Sequence, residues 1–463
     1  MEWLAPLMFA GLVVCLLAGY PVAFALAANG FLFAGIGLAA GTLDFALLSA
    51  LPERVFGIAA NQTLLAIPFF ALMGLILERS GMAEDLLDTI GQLFGAVRGG
   101  LAYAVIFVGA LLAATTGVVA ASVIAMGLIS LPVMLRYGYD RRLASGVIAA
   151  SGTLAQIIPP SLVLIVLADQ LGASVGDMYK GALLPGLGLV AMYLLYVFAV
   201  TLVRPAAAPA MPASARTLAG GALLLRVLTT LVPPLVLIFL VLGTIFLGVA
   251  TPTEGGAMGA TGALLLALLR GKLTRLQLTQ AVDSTTRLTT FVVFILIGST
   301  VFTLVFRGLD GDLWVEHLFN QLPGGVLGFL IIVNLMVFVL AFFLDFFEIA
   351  FIAVPLLAPV AHKLGIDPIW FGVMLAVNMQ TAFMHPPFGF ALFYLKSVAP
   401  RSVRTSDIYW GAIPFLGIQL TMVAVVLAFP GIVLVDAARH GASVTEIHIE
   451  VDESGSYLPA EWR

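Results

Sequence analysis

The chain has 463 residues, of which 61% are hydrophobic and only 10% charged, and its mean hydropathy is +1.12. That composition excludes a soluble globular protein, whose core needs far less apolar surface, and marks a polytopic membrane protein. A formal net charge of -4 points to no partner, nucleic acid included, and the single cysteine, Cys15, excludes an internal disulfide, a cysteine zinc site or a cluster.

In chain order, apolar helices are expected over residues 4 to 18, 21 to 40 and 55 to 78. The opening lacks a basic region and Gly19-Tyr20-Pro21 leads into another apolar run, so the first helix is expected to stay rather than be cleaved as a signal. An amphipathic stretch follows near 83 to 97, then a glycine-interrupted apolar run from 101 to 134, a broken helix from 140 to 170, and a helix from 181 to 203. Residues 204 to 226, with Pro205, Pro209 and Pro212 among alanines, read as a linker. The second half, 227 to 435, repeats the order with helices at 227 to 249, 252 to 269 and 285 to 306 and an amphipathic stretch near 311 to 321. An interrupted run from 325 to 360, a broken helix from 367 to 398 and a helix from 408 to 435 complete it. A polar tail, 436 to 463, remains.

The interrupted runs, about 34 residues long, exceed one span of roughly 20 and read as re-entrant hairpins whose ends emerge on one side. The expected fold is therefore an all-α polytopic protein of about ten transmembrane helices, with two re-entrant hairpins and two broken helices. Under this topology one side keeps only Arg54, Lys180, Arg307, Lys363, Arg439 and Arg463. The other collects the remaining 15 of 21 basic residues, Arg79, Arg136, Arg141, Arg270 and Arg401 among them, and so reads as cytoplasmic. Five spans per half make residues 1 to 203 and 227 to 435 inverted repeats.

The repeat is visible in register. Pro132, Gly138, Asp140, Ala149, Pro159 and Pro160 are answered 227 residues later by Pro359, Gly365, Asp367, Ala376, Pro386 and Pro387. Paired interrupted segments in corresponding halves point to a secondary transporter with its site between the repeats.

Breaking a helix at membrane depth frees backbone groups that lipid cannot satisfy, so Pro159, Pro160, Pro386 and Pro387 must face protein or a polar cavity. The carbonyls freed upstream are hard oxygen ligands for a small cation, and the helix starts downstream attract an anion. Thr115, Thr116 and Gly117 form the polar tip of the first hairpin. Asp345 and Glu348 sit in the second, where a carboxylate costs on the order of 3 kcal/mol and calls for a cation, a proton or water. Gln156 and His385, beside the two proline pairs, are candidate substrate contacts, as is Glu348. Thr251, Thr253 and Glu254 read as a helix cap.

At these residues the chain resembles the DctM-like large membrane subunit of tripartite ATP-independent periplasmic (TRAP) transporters. The signatures are L-L-A-I-P-F-F-A-L-M-G from Leu64, E-R-S-G-M-A from Glu78, R-Y-G-Y-D-R-R from Arg136, G-T-L-A-Q-I-I-P-P-S from Gly152, T-P-T-E from Thr251 and L-G-I-D-P from Leu364. The resemblance covers nearly all of residues 1 to 435. It implies a sodium-coupled importer of organic acids such as 2-oxo acids or lactate, working in a bacterial inner membrane by an elevator motion. It implies sodium and substrate at Thr115, Thr116 and Gly117 with Gly152 and Thr153, and at Asp345 with Asn378, Gln380 and Thr381. It also implies two further chains, a small four-helix membrane subunit and a periplasmic substrate-binding protein, and no cofactor beyond the coupling ion.

Two rival readings stand beside this one. A self-sufficient ion or anion transporter of similar architecture is the first. An intramembrane enzyme is the second, and it lacks both H-E-x-x-H and G-x-S-x-G; no G-x-x-x-x-G-K-S/T nucleotide loop is present either.

Overall fold

The computed structural model describes residues 3–218, 220–320 and 323–434, so the expected polar tail lies outside the described residues. These residues are helical throughout and include no strand.

The first half opens with α1 (Leu4–Leu17), α2 (Val22–Ala39) and the short α3 (Phe45–Leu48). The span expected at 55 to 78 is two helices, α4 (Leu51–Ala59) and α5 (Ala66–Arg79). The reason is Asn61, which turns the chain: its Oδ1 accepts from the amide of Thr63 at 2.9 Å. Next, α6 (Met82–Phe94) leaves α5 at a bend of 61°, made at Gly81 in the left-handed region. The first hairpin is α7 (Gly100–Thr116) and α8 (Val119–Arg136), and the first broken helix is α9 (Arg141–Thr153) and α10 (Leu162–Leu171). Then α11 (Val175–Val203) begins six residues earlier than expected, capped by the Ser174 hydroxyl on the amide of Asp177.

In the second half, α12 (Gly220–Phe246) starts inside the expected linker, followed by α13 (Pro252–Leu269) and the 34-residue α14 (Arg275–Gly308). The extra length of α14 begins at a capping box, in which Thr274 and Gln277 satisfy each other's backbone amides. After α15 (Gly311–Asn320) come the second hairpin, α16 (Gly325–Leu340) and α17 (Phe346–Lys363), and the second broken helix, α18 (Pro368–Met379) and α19 (Phe390–Val398). Finally α20 (Thr405–Ala428) is followed by a short 3-10 turn, Pro430–Ile432, near the end of the described chain.

Among the described residues seven helices, α2, α8, α11, α12, α14, α17 and α20, are long and apolar enough to cross a membrane. Four shorter apolar helices, α1, α7, α10 and α16, belong to hairpins, broken spans or the entry segment. The expected cap at Thr251 to Glu254 is there: Glu254 accepts from the Thr251 amide at 2.8 Å, while Thr253 donates to the carbonyl of Gln62 at 2.6 Å.

The helices pack in two groups. In one, α13 lies on α5 and α14 on α2; in the other, α9 lies on α20 and between α7 and α8, and α10 lies on α17 and α18. Contact between α9 and α20 is backbone to backbone, because a Cβ on Gly411 would run into the carbonyl of Arg142. Only glycine lets two helices approach this closely. The connection between halves is tied down rather than free. The amides of Gly99 and Asp140 donate to the carbonyls of Ala208 and Ala207, both at 2.9 Å, and the Met211 amide donates to Gly95 at 2.8 Å.

Candidate site where the broken helices meet

Both broken helices are built alike. Asp140 accepts from the amides of Arg142 and Leu143 to start α9, and Asp367 accepts from those of Ile369 and Trp370 to start α18. Each helix then tightens into a 3-10 turn, Leu154–Gln156 in one and Gln380–Phe383 in the other, and stops at a cis proline pair. Chain direction resumes with a cap: Ser161 donates to the Gln156 carbonyl at 2.5 Å and accepts from the amide of Leu164. Tyr179 donates to the carbonyl of Ser161 at 3.4 Å, and its repeat mate Tyr409 donates to that of Pro387 at 3.1 Å.

The two breaks touch. Gln380 Nε2 donates to Thr153 Oγ1 at 3.1 Å, and these residues stand 227 positions apart, the repeat spacing read from the sequence. Gln419 of α20 joins the same oxygen, donating through Nε2 to Thr153 at 3.2 Å and to the Tyr193 hydroxyl at 3.0 Å. Thr153 itself donates to the carbonyl of Ala150 at 2.8 Å. One hydroxyl thus ties α9, α11, α18 and α20 together through buried side chains.

Around that node, buried oxygens have no hydrogen-bond partner among the described residues. They are Ser151 Oγ, Gln156 Oε1, Asn378 Oδ1, Gln380 Oε1 and Gln419 Oε1. An unsatisfied buried polar group costs about 1–3 kcal/mol, so several side chains together are a large expense unless they serve a ligand. Hard oxygen donors in a dry interior are the donor set a small alkali cation takes. Asn378 is aimed by Asn334, whose carbonyl and side chain receive its Nδ2 at 2.7 and 2.9 Å. Thr381 donates to the carbonyl of Asn378 at 2.7 Å.

The first hairpin reaches this region. Gly117 adopts φ +57 as the left-handed cap of α7 and faces Leu162 and the carbonyl of Pro160. Thr115 is buried and donates to the carbonyl of Leu112 at 3.0 Å. Thr116 closes the helix, but its side chain is outside the described ones. Gly152 packs against Val123 of α8.

In the second hairpin the two carboxylates have a structural use that the sequence reading did not assign. Asp345 accepts from the Glu348 amide at 2.8 Å and Glu348 from the Asp345 amide at 2.9 Å, a reciprocal cap that starts α17. Both are half-buried, and neither bonds to the Thr153 node. Glu348 instead lines a cavity of about 550 Å³ with Thr286, Arg287 and Thr290 of α14 and Phe24 of α2. His385 is fully buried between Phe342 and Phe338, each ring centroid 4.3 Å away, and neither ring nitrogen makes a well-formed hydrogen bond. The ring therefore rests on α16 and the turn after it, held by aromatic stacking.

Gln419, Tyr193, Ser151 and Asn334 were not singled out from the sequence. The available signal was a lone amide in an apolar helix, as in F-L-G-I-Q-L-T-M around Gln419 and L-I-I-V-N-L-M-V around Asn334.

Residues 9–432 match the family model described as tripartite ATP-independent periplasmic transporter, DctM component. The chain belongs to the DctM family. It is 32% identical over 396 residues to the C4-dicarboxylate TRAP transporter large permease protein DctM of Pseudomonas aeruginosa, covering 83% of this chain and 88% of that one. With the sialic acid TRAP transporter large permease protein SiaM of Vibrio cholerae it shares 27% over 416 residues, covering 90% and 94%. Among solved structures, the YdaH transporter of Alcanivorax borkumensis aligns with a TM-score of 0.58 at 15% identity, over 83% of this chain and 88% of that one. That likeness is one of fold. As a DctM-family protein the chain is a multi-pass membrane transporter and not an enzyme.

Proposed function

We propose that this DctM-family chain is the sodium-coupled permease of a binding-protein-dependent importer for a small organic acid, a 2-oxo acid, lactate or a related carboxylate. The observation that carries the reading is the Thr153 node, where the two broken helices meet through repeat-equivalent residues and leave amide and hydroxyl oxygens without partners. Sodium is held there by the free oxygens of Gln380 and Asn378, with Thr153 orienting the Gln380 amide, the Thr115–Gly117 tip, Gly152 and Thr381 beside it, and at the second hairpin by Asp345. Substrate lies against Gln156, His385 and Glu348. The two relatives support the substrate class, since C4-dicarboxylates and sialic acid are both carboxylates.

Energy comes from the membrane. Each net positive charge carried inward gains about 2.3 kcal/mol per 100 mV, so import is driven whenever sodium charge exceeds substrate charge. The hairpins and broken helices move as one body against α2, α5, α13 and α14, in residues 1 to 203 and 227 to 435 acting as inverted repeats. A small four-helix membrane subunit and a periplasmic binding protein complete the importer in a bacterial inner membrane.

The test is uptake in proteoliposomes with an inward sodium gradient, with and without the other two components. Uptake that needs both sodium and the binding protein supports the reading. Full transport by this chain alone favours a self-sufficient carrier, and uptake indifferent to sodium removes the coupling.

A further inference from the structure

A second polar cleft lies away from the Thr153 node, on the side that keeps Arg54 and Arg307, which the distribution of basic residues makes the outer one. Its volume is about 400 Å³. One wall is α4 and α14, contributing Arg54, Thr300, Thr303 and Arg307; the other is α10 and α17, contributing Asp169, Pro355 and Pro359. Thr300, Thr303 and Arg307 fall at i, i+3 and i+7 and so share one face of α14.

The polar groups in this cleft divide into committed and uncommitted ones. Asp169 has both oxygens taken, Oδ1 by Asn61 Nδ2 at 2.6 Å and Oδ2 by Gln170 Nε2 at 3.0 Å. Arg307 shares its charge with Asp312 at 3.2 Å. Among the described residues Arg54 has neither an ion pair nor a hydrogen bond, while Asp169 on the opposite wall keeps its charge, its two partners being neutral amides. Thr300 and Thr303 make no hydrogen bond to described residues, whereas Thr285 and Thr286, earlier in the same helix, donate to the carbonyls of the preceding turn at 2.9 Å. An uncommitted guanidinium on the same wall as two hydroxyls, in a cleft lined also by proline and leucine, offers hydrogen-bond donors to a carboxylate.

We infer that this cleft is an outer staging site for the transported carboxylate, with Arg54 and Arg307 holding the charge and Thr300 and Thr303 donating to the oxygens. The inference rests on the organic-acid reading above and adds a second binding place to it. The walls come from both packing groups and are joined by Asn61 to Asp169 and by Ser299 of α14 to the Phe351 carbonyl of α17, so the anion is received at the seam between them.

The experiment places a single reporter thiol in the cleft. Ala358→Cys, which lines the cleft without contributing a donor, is made in a Cys15→Ser background of the full chain, in right-side-out membrane vesicles, and its modification by an externally added negatively charged methanethiosulfonate is timed. Lactate, pyruvate and succinate are the protecting probes. At least one is expected to slow modification, and Arg54→Gln is expected to weaken that protection at least about tenfold, the scale of a lost hydrogen bond to a charged group, while Arg54→Lys retains most of it. Gly57→Cys, also on the lining and with open space for a side chain, is the second reporter if the first fails to insert.

Protection by none of the three acids, protection unchanged in Arg54→Gln, or modification only from the inner side overturns the site. Sodium-driven uptake is measured on the same vesicles with the partner components. Uptake without protection removes the staging site alone, and protection without sodium-driven uptake removes the coupling reading while leaving the site.

Discussion

Replacing Thr153 by valine keeps the branched shape and deletes the one oxygen that receives both Gln380 and Gln419. Gln419 Nε2 retains the Tyr193 hydroxyl at 3.0 Å, but Gln380 Nε2 loses its only recorded partner, Thr153 at 3.1 Å. An orphaned buried amide costs about 1–3 kcal/mol, and a penalty of that size on the sodium-bound state is a roughly 5- to 150-fold rise in half-saturating sodium. The assay pairs sodium-dependent uptake with thermal unfolding in detergent, in sodium chloride against choline chloride. Sodium at 100 times its dissociation constant stabilises a single-site protein by about 2.7 kcal/mol, so the wild type is expected to melt higher in sodium. Thr153→Val should lose most of that increment, and Thr153→Ser should recover it. Equal half-saturating sodium and an equal melting increment in the valine variant would refute the node as a cation site.

Three further outcomes are expected. Asp345→Asn preserves a good amino-terminal cap and removes the charge, so it should insert and melt normally yet lose sodium dependence, whereas Asp345→Ala should lose both; sodium dependence intact in the asparagine variant reduces Asp345 to a cap. Gly411→Ala puts a methyl into the Arg142 carbonyl and should destabilise by about 1–3 kcal/mol, read as a lowered melting temperature. Gly117→Ala forces a side chain to φ +57 against Leu162, costing roughly 1–2 kcal/mol, and should slow uptake more than it lowers expression.

Much of the fold was legible because proline, glycine and capping residues act locally. The breaks at Pro159-Pro160 and Pro386-Pro387 and the hairpin tip at Gly117 each follow from a few neighbouring residues, whereas Asp140 and Asp367 stood out only as a repeated pair and their capping role came from the structure. The missed split at 60–65 was also local, since Asn61-Gln62 interrupts an apolar run and Asn61 turns the chain onto its own side chain. At Asp345 and Glu348 a second use went unread: D-x-x-E is also a capping pattern, and their cost at membrane depth pointed to ion binding alone.

The site was legible only in part, because its decisive contacts join residues 227 and 266 positions apart. The repeat spacing aligned Thr153 with Gln380 but gave no reason for the pair to touch. Nothing in α20 set Gln419 apart except a lone amide among apolar residues, which has as many structural uses as functional ones. Tyr193 is still less readable, since a tyrosine in a long membrane helix more often anchors an interface than completes a buried node.

The central claim is that the meeting point of the two broken helices holds sodium, and equilibrium binding of radioactive sodium to the purified full chain tests it most directly. Saturable binding that choline does not displace, weakened in Thr153→Val and restored in Thr153→Ser, is the predicted result. Binding that is absent, or the same in all three proteins, would contradict it.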